Sequence, residues 1–258
     1  MSKSGIAKNI LQLAVVTFFI FCVSARAETL KIAVAANFTN AARGLGAQFE
    51  ADTGHNLLFS FGSTGKLFAQ IKYGAPFDIF LSADMERATK TGNERLGLPE
   101  TQMTYAVGRL ALVTNGAKLQ DGGEILIRPP EGKLALANPK LAPYGAAARD
   151  VLKWLGVFEQ WMPFLVTGNS VAQAYQFVIT GNASVGFVAL SQLHDKPRNS
   201  YWLVPKNYHQ PIRQDAILLN AGENSGAARN FMKFLGSSAA RKIIARHGYD
   251  FDVIKQAN

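Results

Sequence analysis

The sequence predicts an α/β fold. Short apolar runs of strand length alternate with stretches of helical period, and four strand-to-helix junctions repeat one layout. No internal repeat, low-complexity segment or long linker interrupts the alternation. With 48% hydrophobic residues a core is affordable, and the length suits one large domain or two lobes of roughly 100 residues each.

Residues 1–27 read as a cleaved signal peptide. Lys3 and Lys8 form a positive start, Ile10 to Val23 an apolar run too short to span a bilayer comfortably, and Ala25-Arg26-Ala27 a small-x-small cleavage site. The single cysteine, Cys22, follows bulky Phe21, which argues against a lipid-modified cysteine. Cleavage after Ala27 removes it, so the exported chain has neither disulfide nor thiol chemistry, in keeping with an oxidising periplasm. The leader takes three of the 27 basic residues and none of the 18 acidic ones, leaving 24 against 18. That modest excess fits an anionic ligand, but basic residues are scattered without a run, which disfavours nucleic acid.

The junctions follow in order. "LKIAVAANF" is a buried-strand run, Leu30 to Ala35, ending at Asn37; a helix with Leu45 and Phe49 follows and stops near Gly54. "NLLFSFGST" ends at Ser63-Thr64 and leads to a helix carrying Leu67, Phe68 and Ile71, stopped at Gly74. In "KLALANPKLAPYG" a strand from Leu134 to Ala137 passes through a proline-rich turn to Tyr144-Gly145, and the helix beyond ends at Gly156. In "FLVTGNSVAQAYQFVITG", Asn169 or Ser170 caps a helix that Gly181 stops. Each junction sets hydroxyl or amide side chains beside unpaired backbone N–H groups. One alone is a helix cap; four at the carboxyl ends of strands converge on a single oxyanion.

Several chemistries are excluded. "FGSTGKLFAQI" resembles a phosphate loop, but Ser60 stands where its first glycine belongs and Leu67 replaces the Mg²⁺-binding hydroxyl. Ser63 as a hydrolase nucleophile fails because Phe61 occupies the first glycine of Gly-x-Ser-x-Gly. His55, His194, His209 and His247 show no metal-ligand spacing, so no metal cation is expected. Asp78 and Asp84 lie about 20 Å apart on an extended strand, too far to cooperate. No catalytic acid, base or nucleophile sits at the junctions, and neither an enzyme nor a cofactor is expected.

The segments "AVAANFTNAARGLGAQFEADTGH", "SFGSTGKLFAQIKYGAPFDIFLSAD", "LALANPKLAPYGAAARDVLKWLG" and "GNSVAQAYQFVITGNASVGFVALSQL" resemble the periplasmic molybdate-binding proteins of ABC transporters, across essentially the whole exported chain. The resemblance implies a two-lobed type II periplasmic-binding-protein fold, its lobes joined by crossing strands near "TYAVGRLALV" and "QPIRQDAILL". Lobe 1 is then residues 28–105 plus 216–258, and lobe 2 residues 106–215. It implies a soluble periplasmic monomer that binds molybdate, and tungstate, and delivers it to an inner-membrane ABC permease; a receptor for sulfate is the alternative.

By the same resemblance Asn37, preceded by Ala36, stands at the family's first contact, and Thr64, beside Ser63, at its second-loop hydroxyl. Tyr144 matches a contact made through the backbone and Val171 a backbone N–H donor. Ala189 departs from members that place a tyrosine in that strand, and Tyr144 offers a replacement hydroxyl. Molybdate at neutral pH carries no proton, so its oxygens only accept hydrogen bonds, and neutral donors at helix N-termini suit it. Lys66 reads as a solvated residue of the first helical turn, because a buried ammonium costs heavily.

Overall fold

The structure is a computed structural model that describes residues 27–116, 119 and 122–252. The expected signal peptide therefore lies, but for Ala27, outside the described residues. Two five-stranded sheets form, one per lobe. The first has the order β2-β1-β3-β10-β4, from β1 (Thr29–Ala35), β2 (Asn56–Gly62), β3 (Ile79–Leu81), β4 (Met103–Gly108) and β10 (Ile212–Leu218). Around it pack α1 (Thr39–Thr53), α2 (Thr64–Lys72), α3 (Met85–Asn93), α8 (Gly226–Leu235) and α9 (Ser238–Arg246). The second has the order β7-β6-β8-β5-β9, from β5 (Leu110–Thr114), β6 (Leu134–Ala137), β7 (Leu165–Gly168), β8 (Val185–Ala189) and β9 (Tyr201–Leu203). It carries α4 (Gly122–Ile127), α5 (Pro143–Trp154), α6 (Phe158–Trp161) and α7 (Val171–Ile179).

Helices cover both faces of each sheet, which is why the central strands read as unbroken apolar runs. In β1, Ile32 and Val34 join a core with Phe38, Leu45, Phe49 and Phe231, while Ala33 faces the opposite layer with Leu67, Ile71 and Phe80. In the second lobe Leu134 and Leu136 pack with Val151, Leu152 and Trp161, and Ala135 with Ala174 and Val178. Trp161 is buried and donates its indole N–H to the Leu126 carbonyl at 2.8 Å; Trp154 instead lies half exposed, stacked on Tyr208. The expected helix stops Gly54, Gly74, Gly156 and Gly181 all have positive φ.

The chain passes between lobes at Arg109, between β4 and β5, and at residues 209–211, before β10. Ile212 pairs with Gly108 and Arg213 with Val107 inside the first sheet. The strands thus stay in that sheet past the expected switch after residue 105, and enter it before the expected return at 216.

Candidate binding site

All four junctions meet where the lobes face each other. Strands β1 and β2 are parallel neighbours in one sheet, and β6 and β7 in the other, so their carboxyl ends bring four helix starts together. Between them lies a small cavity that admits the centre of about one water-sized sphere (≈10 Å³). Ala36, Asn37, Ser63, Thr64, Tyr144 and Val171 all line it, with Ala35, Gly62, Ala83, Ala142, Pro143 and Ser170. Every one of these residues is neutral. A wider groove of ≈360 Å³ adjoins it at Ala83 and Pro143, but carries both signs of charge, among them Asp84, Arg87, Arg149 and Asp150, and lies open. The small pocket offers neutral donors alone, whereas the larger groove mixes guanidinium donors with carboxylates.

Each helix start contributes differently. Ser63 is the N-cap residue of α2 yet makes no capping bond; its hydroxyl is buried without a hydrogen-bond partner. Thr64 is equally buried, and its Oγ1 accepts from the Ala83 N–H at 3.1 Å, leaving the hydroxyl proton to donate. The Gly65 N–H is spent across the lobes on the Leu141 carbonyl at 2.9 Å. In α5, Pro143 at the start has no N–H, so Tyr144 carries the first amide of the helix. Gly145 lets this helix start approach β6, because a Cβ there would come within 2.1 Å of the Ala137 carbonyl oxygen. In α7, Ser170 is the cap, accepting from the Gln173 N–H at 3.3 Å, and the amides of Val171 and Ala172 remain beyond its reach.

Two expected side-chain donors point elsewhere. Asn37 Nδ2 donates to Gln214 Oε1 at 2.8 Å and Tyr249 Oη at 3.0 Å, so both amide protons are used away from the cavity. The Tyr144 hydroxyl lies 3.4 Å from Gln214 Nε2, beside Gly108. That hydroxyl is held by Gln214, while Tyr144 also lines the cavity. Ala189 is fully buried in β8 and outside the cavity lining. Phe38, also fully buried, anchors the Asn37 turn edge-on between Tyr105 and Tyr249, with centroids at 4.8 and 5.1 Å. Burying such a ring contributes about 1.5–3 kcal/mol.

Lys66 is exposed to solvent. Asp78 accepts from the Lys31 N–H at 2.7 Å, and Asp84 caps α3 through the Arg87 N–H at 2.7 Å, so each carboxylate has a structural partner. Of the histidines, only His194 and His247 approach each other, with ring centroids 5.1 Å apart. Among the described residues there is no group of three or more metal-ligating side chains, and no helix long and apolar enough to cross a membrane. Sequence reasoning missed Ala83, Gly62 and Ala142 as lining residues. It also missed Gln214 and Asp215, whose signal is a polar pair inside the otherwise apolar strand "IRQDAILL".

Two α/β lobes closed on a neutral, donor-lined cavity define a solute-binding protein of the two-lobed kind. The chain belongs to the family described as bacterial extracellular solute-binding protein, which matches residues 30–250. It is 47% identical over 218 residues to the molybdate-binding protein ModA of Rhodobacter capsulatus, covering 84% of this chain and 86% of that one. It is 44% identical over 230 residues to the molybdate-binding protein ModA of Azotobacter vinelandii, covering 88% and 91%. The solved periplasmic molybdate-binding protein of Azotobacter vinelandii superposes with a TM-score of 0.83 at 36% identity, over 87% of this chain and 100% of that one.

Proposed function

We propose that the chain is the soluble molybdate-binding component of an ABC importer, exported to the periplasm, where as a monomer it carries the anion to an inner-membrane permease. The observation that carries this reading is the buried Ser63 hydroxyl, without a protein partner, on the wall of a cavity that has no charged side chain. Four helix starts from both lobes surround that hydroxyl. Their amides and partial positive charge supply donors to a fully deprotonated tetrahedral dianion. A hydrogen bond to a charged group contributes roughly 1.5–3 kcal/mol, so a few such donors give tight binding without a counter-cation. A protonated phosphate needs an acceptor, and no acidic side chain lines the cavity to provide one.

Thr64 and Ser63 donate hydroxyl protons, Ala36, Asn37, Tyr144 and Val171 present backbone, and no metal or organic cofactor takes part. Tungstate has the charge and tetrahedral geometry of molybdate and binds as well. Sulfate shares the charge but is smaller, and the similarity to proteins named molybdate-binding makes molybdate the reading taken here. Calorimetry of the exported chain against molybdate, tungstate, sulfate and phosphate is the test. Tight one-to-one binding of the first two is expected; sulfate binding with no heat from molybdate or tungstate would overturn the assignment.

A further inference from the structure

Behind the cavity six buried polar side chains from both lobes form one hydrogen-bonded hub, with Gln214 at its centre. Gln214 is fully buried on β10, a strand that enters the first sheet directly from the interlobe crossing. Its Oε1 accepts from Asn37 Nδ2 at 2.8 Å and from Tyr105 Oη at 3.2 Å, and its Nε2 faces Tyr144 Oη at 3.4 Å. Ser191 of the second lobe donates to the Asn37 carbonyl at 2.7 Å, as does Tyr249 of the first, and the two hydroxyls lie 3.1 Å apart. Asn37 and Tyr144, which line the cavity from opposite lobes, are thus joined through one carboxamide.

Local backbone aims that carboxamide. The β4–β10 register shifts between Gln214 and Asp215, leaving Tyr105 of β4 without a residue directly opposite. Such a bulge redirects side chains. Gln214 turns to the hub, while Asp215 is satisfied by Thr104 Oγ1 at 2.7 Å and Gln102 Nε2 at 2.6 Å. The hub also rests on the crossing itself: a Cβ at Gly108 would lie 2.2 Å from Tyr144 Oη and 2.9 Å from Gln214 Nε2. A carboxamide offers an acceptor to one lobe and a donor to the other from two separate atoms of one uncharged side chain.

We propose that Gln214 is a positioning residue for solute capture: from the crossing strand it holds Asn37 and Tyr144 in the register that turns their backbone amides to the solute, so hub and cavity form together on closure. This rests on the oxyanion-binding reading above. The Asn37 side chain then acts through Gln214 and does not touch the solute.

The test is a double-mutant cycle on molybdate affinity with Gln214→Leu, Asn37→Ala and the pair, alongside urea midpoints. Each single change is expected to weaken binding roughly ten- to a hundredfold, and the pair little more than either. Additive losses would mean that Asn37 meets the anion itself, and unchanged affinity with a lowered urea midpoint would mean a structural role; either overturns the proposal. Tyr144→Phe, which removes only the hydroxyl, keeps the question open to test if Gln214→Leu does not fold: weaker binding is expected, with a stability loss of no more than the one long hydrogen bond to Gln214 Nε2, and wild-type affinity refutes. Spin labels at exposed Lys66 and Glu159 report lobe separation without solute. A wider distribution in Gln214→Leu is expected, and an unchanged one contradicts the proposal. Should the wild type take up no molybdate, the functional reading fails, while the label distances still decide the role of Gln214.

Discussion

Replacing Ser63 with alanine separates binding from folding more sharply than any other single change. The Ser63 hydroxyl is buried and makes no hydrogen bond within the protein, so its removal takes nothing from the folded chain. The usual loss of about 1 kcal/mol for an N-cap serine does not apply, because no capping bond exists here. A donor to a dianion contributes roughly 1.5–3 kcal/mol, so Ser63→Ala should weaken molybdate binding about ten- to a hundredfold. Its unfolding free energy without anion, from urea melts, should stay within about 0.5 kcal/mol of wild type. Thr64→Ala behaves differently: it loses affinity on a similar scale and strips the buried Ala83 N–H of its acceptor, at a further cost of roughly 1–3 kcal/mol in stability. Thr64→Ser keeps the hydroxyl and most of both quantities. Calorimetry and urea melts on the three variants make the comparison. Wild-type affinity in Ser63→Ala, or a stability loss equal to that of Thr64→Ala, would refute the reasoning.

Other expectations follow from the same geometry. Lys66 is exposed, so Lys66→Ala should shift molybdate affinity slightly and mainly at low salt; abolished binding would point to a lysine-anchored site. Anion contacts to both lobes exist only in the closed form, which Arg87 and Gly65 already bridge through the Lys140 and Leu141 carbonyls at 2.8 and 2.9 Å. Small-angle scattering should therefore give a smaller radius of gyration with molybdate than without, and an unchanged value on saturation contradicts closure on binding. Burial, and then the neighbouring His194 ring, lowers the pKa of His247; burial likewise lowers that of His209. The unfolded chain therefore binds protons that the folded one resists. This contribution to stability is present above about pH 6.5 and is lost as pH falls from there through the lowered folded values. Melting temperature should decline on that acid limb and decline less in His247→Gln, whereas identical pH profiles would remove His247 as a cause.

Much of the fold was legible because its signals are local. Leu134–Ala137 and the run through Ala35 read as strands from buried apolar residues alone, and Asn169 or Ser170 as a cap from their place before a helical period, Ser170 being the one the structure uses. What each site residue does was less legible, since it depends on partners far along the chain. Nothing near Thr64 says that its hydroxyl accepts from Ala83, 19 residues on, while adjacent Ser63 is left free. Asn37 reads as a donor for the ligand until Gln214 and Tyr249, 177 and 212 residues away, take both its amide protons. Tyr144 reads as an alternative hydroxyl until the absence of a side chain at Gly108 gives its ring a place against the interlobe crossing.

Anomalous diffraction at the molybdenum edge from crystals grown with molybdate tests the binding site most directly. One peak is expected per chain, in the neutral cavity, within hydrogen-bonding reach of the Ser63 hydroxyl and of backbone amides at the starts of α5 and α7. A peak beside Lys66, or in the charged groove between Arg87 and Arg149, would contradict capture by neutral donors.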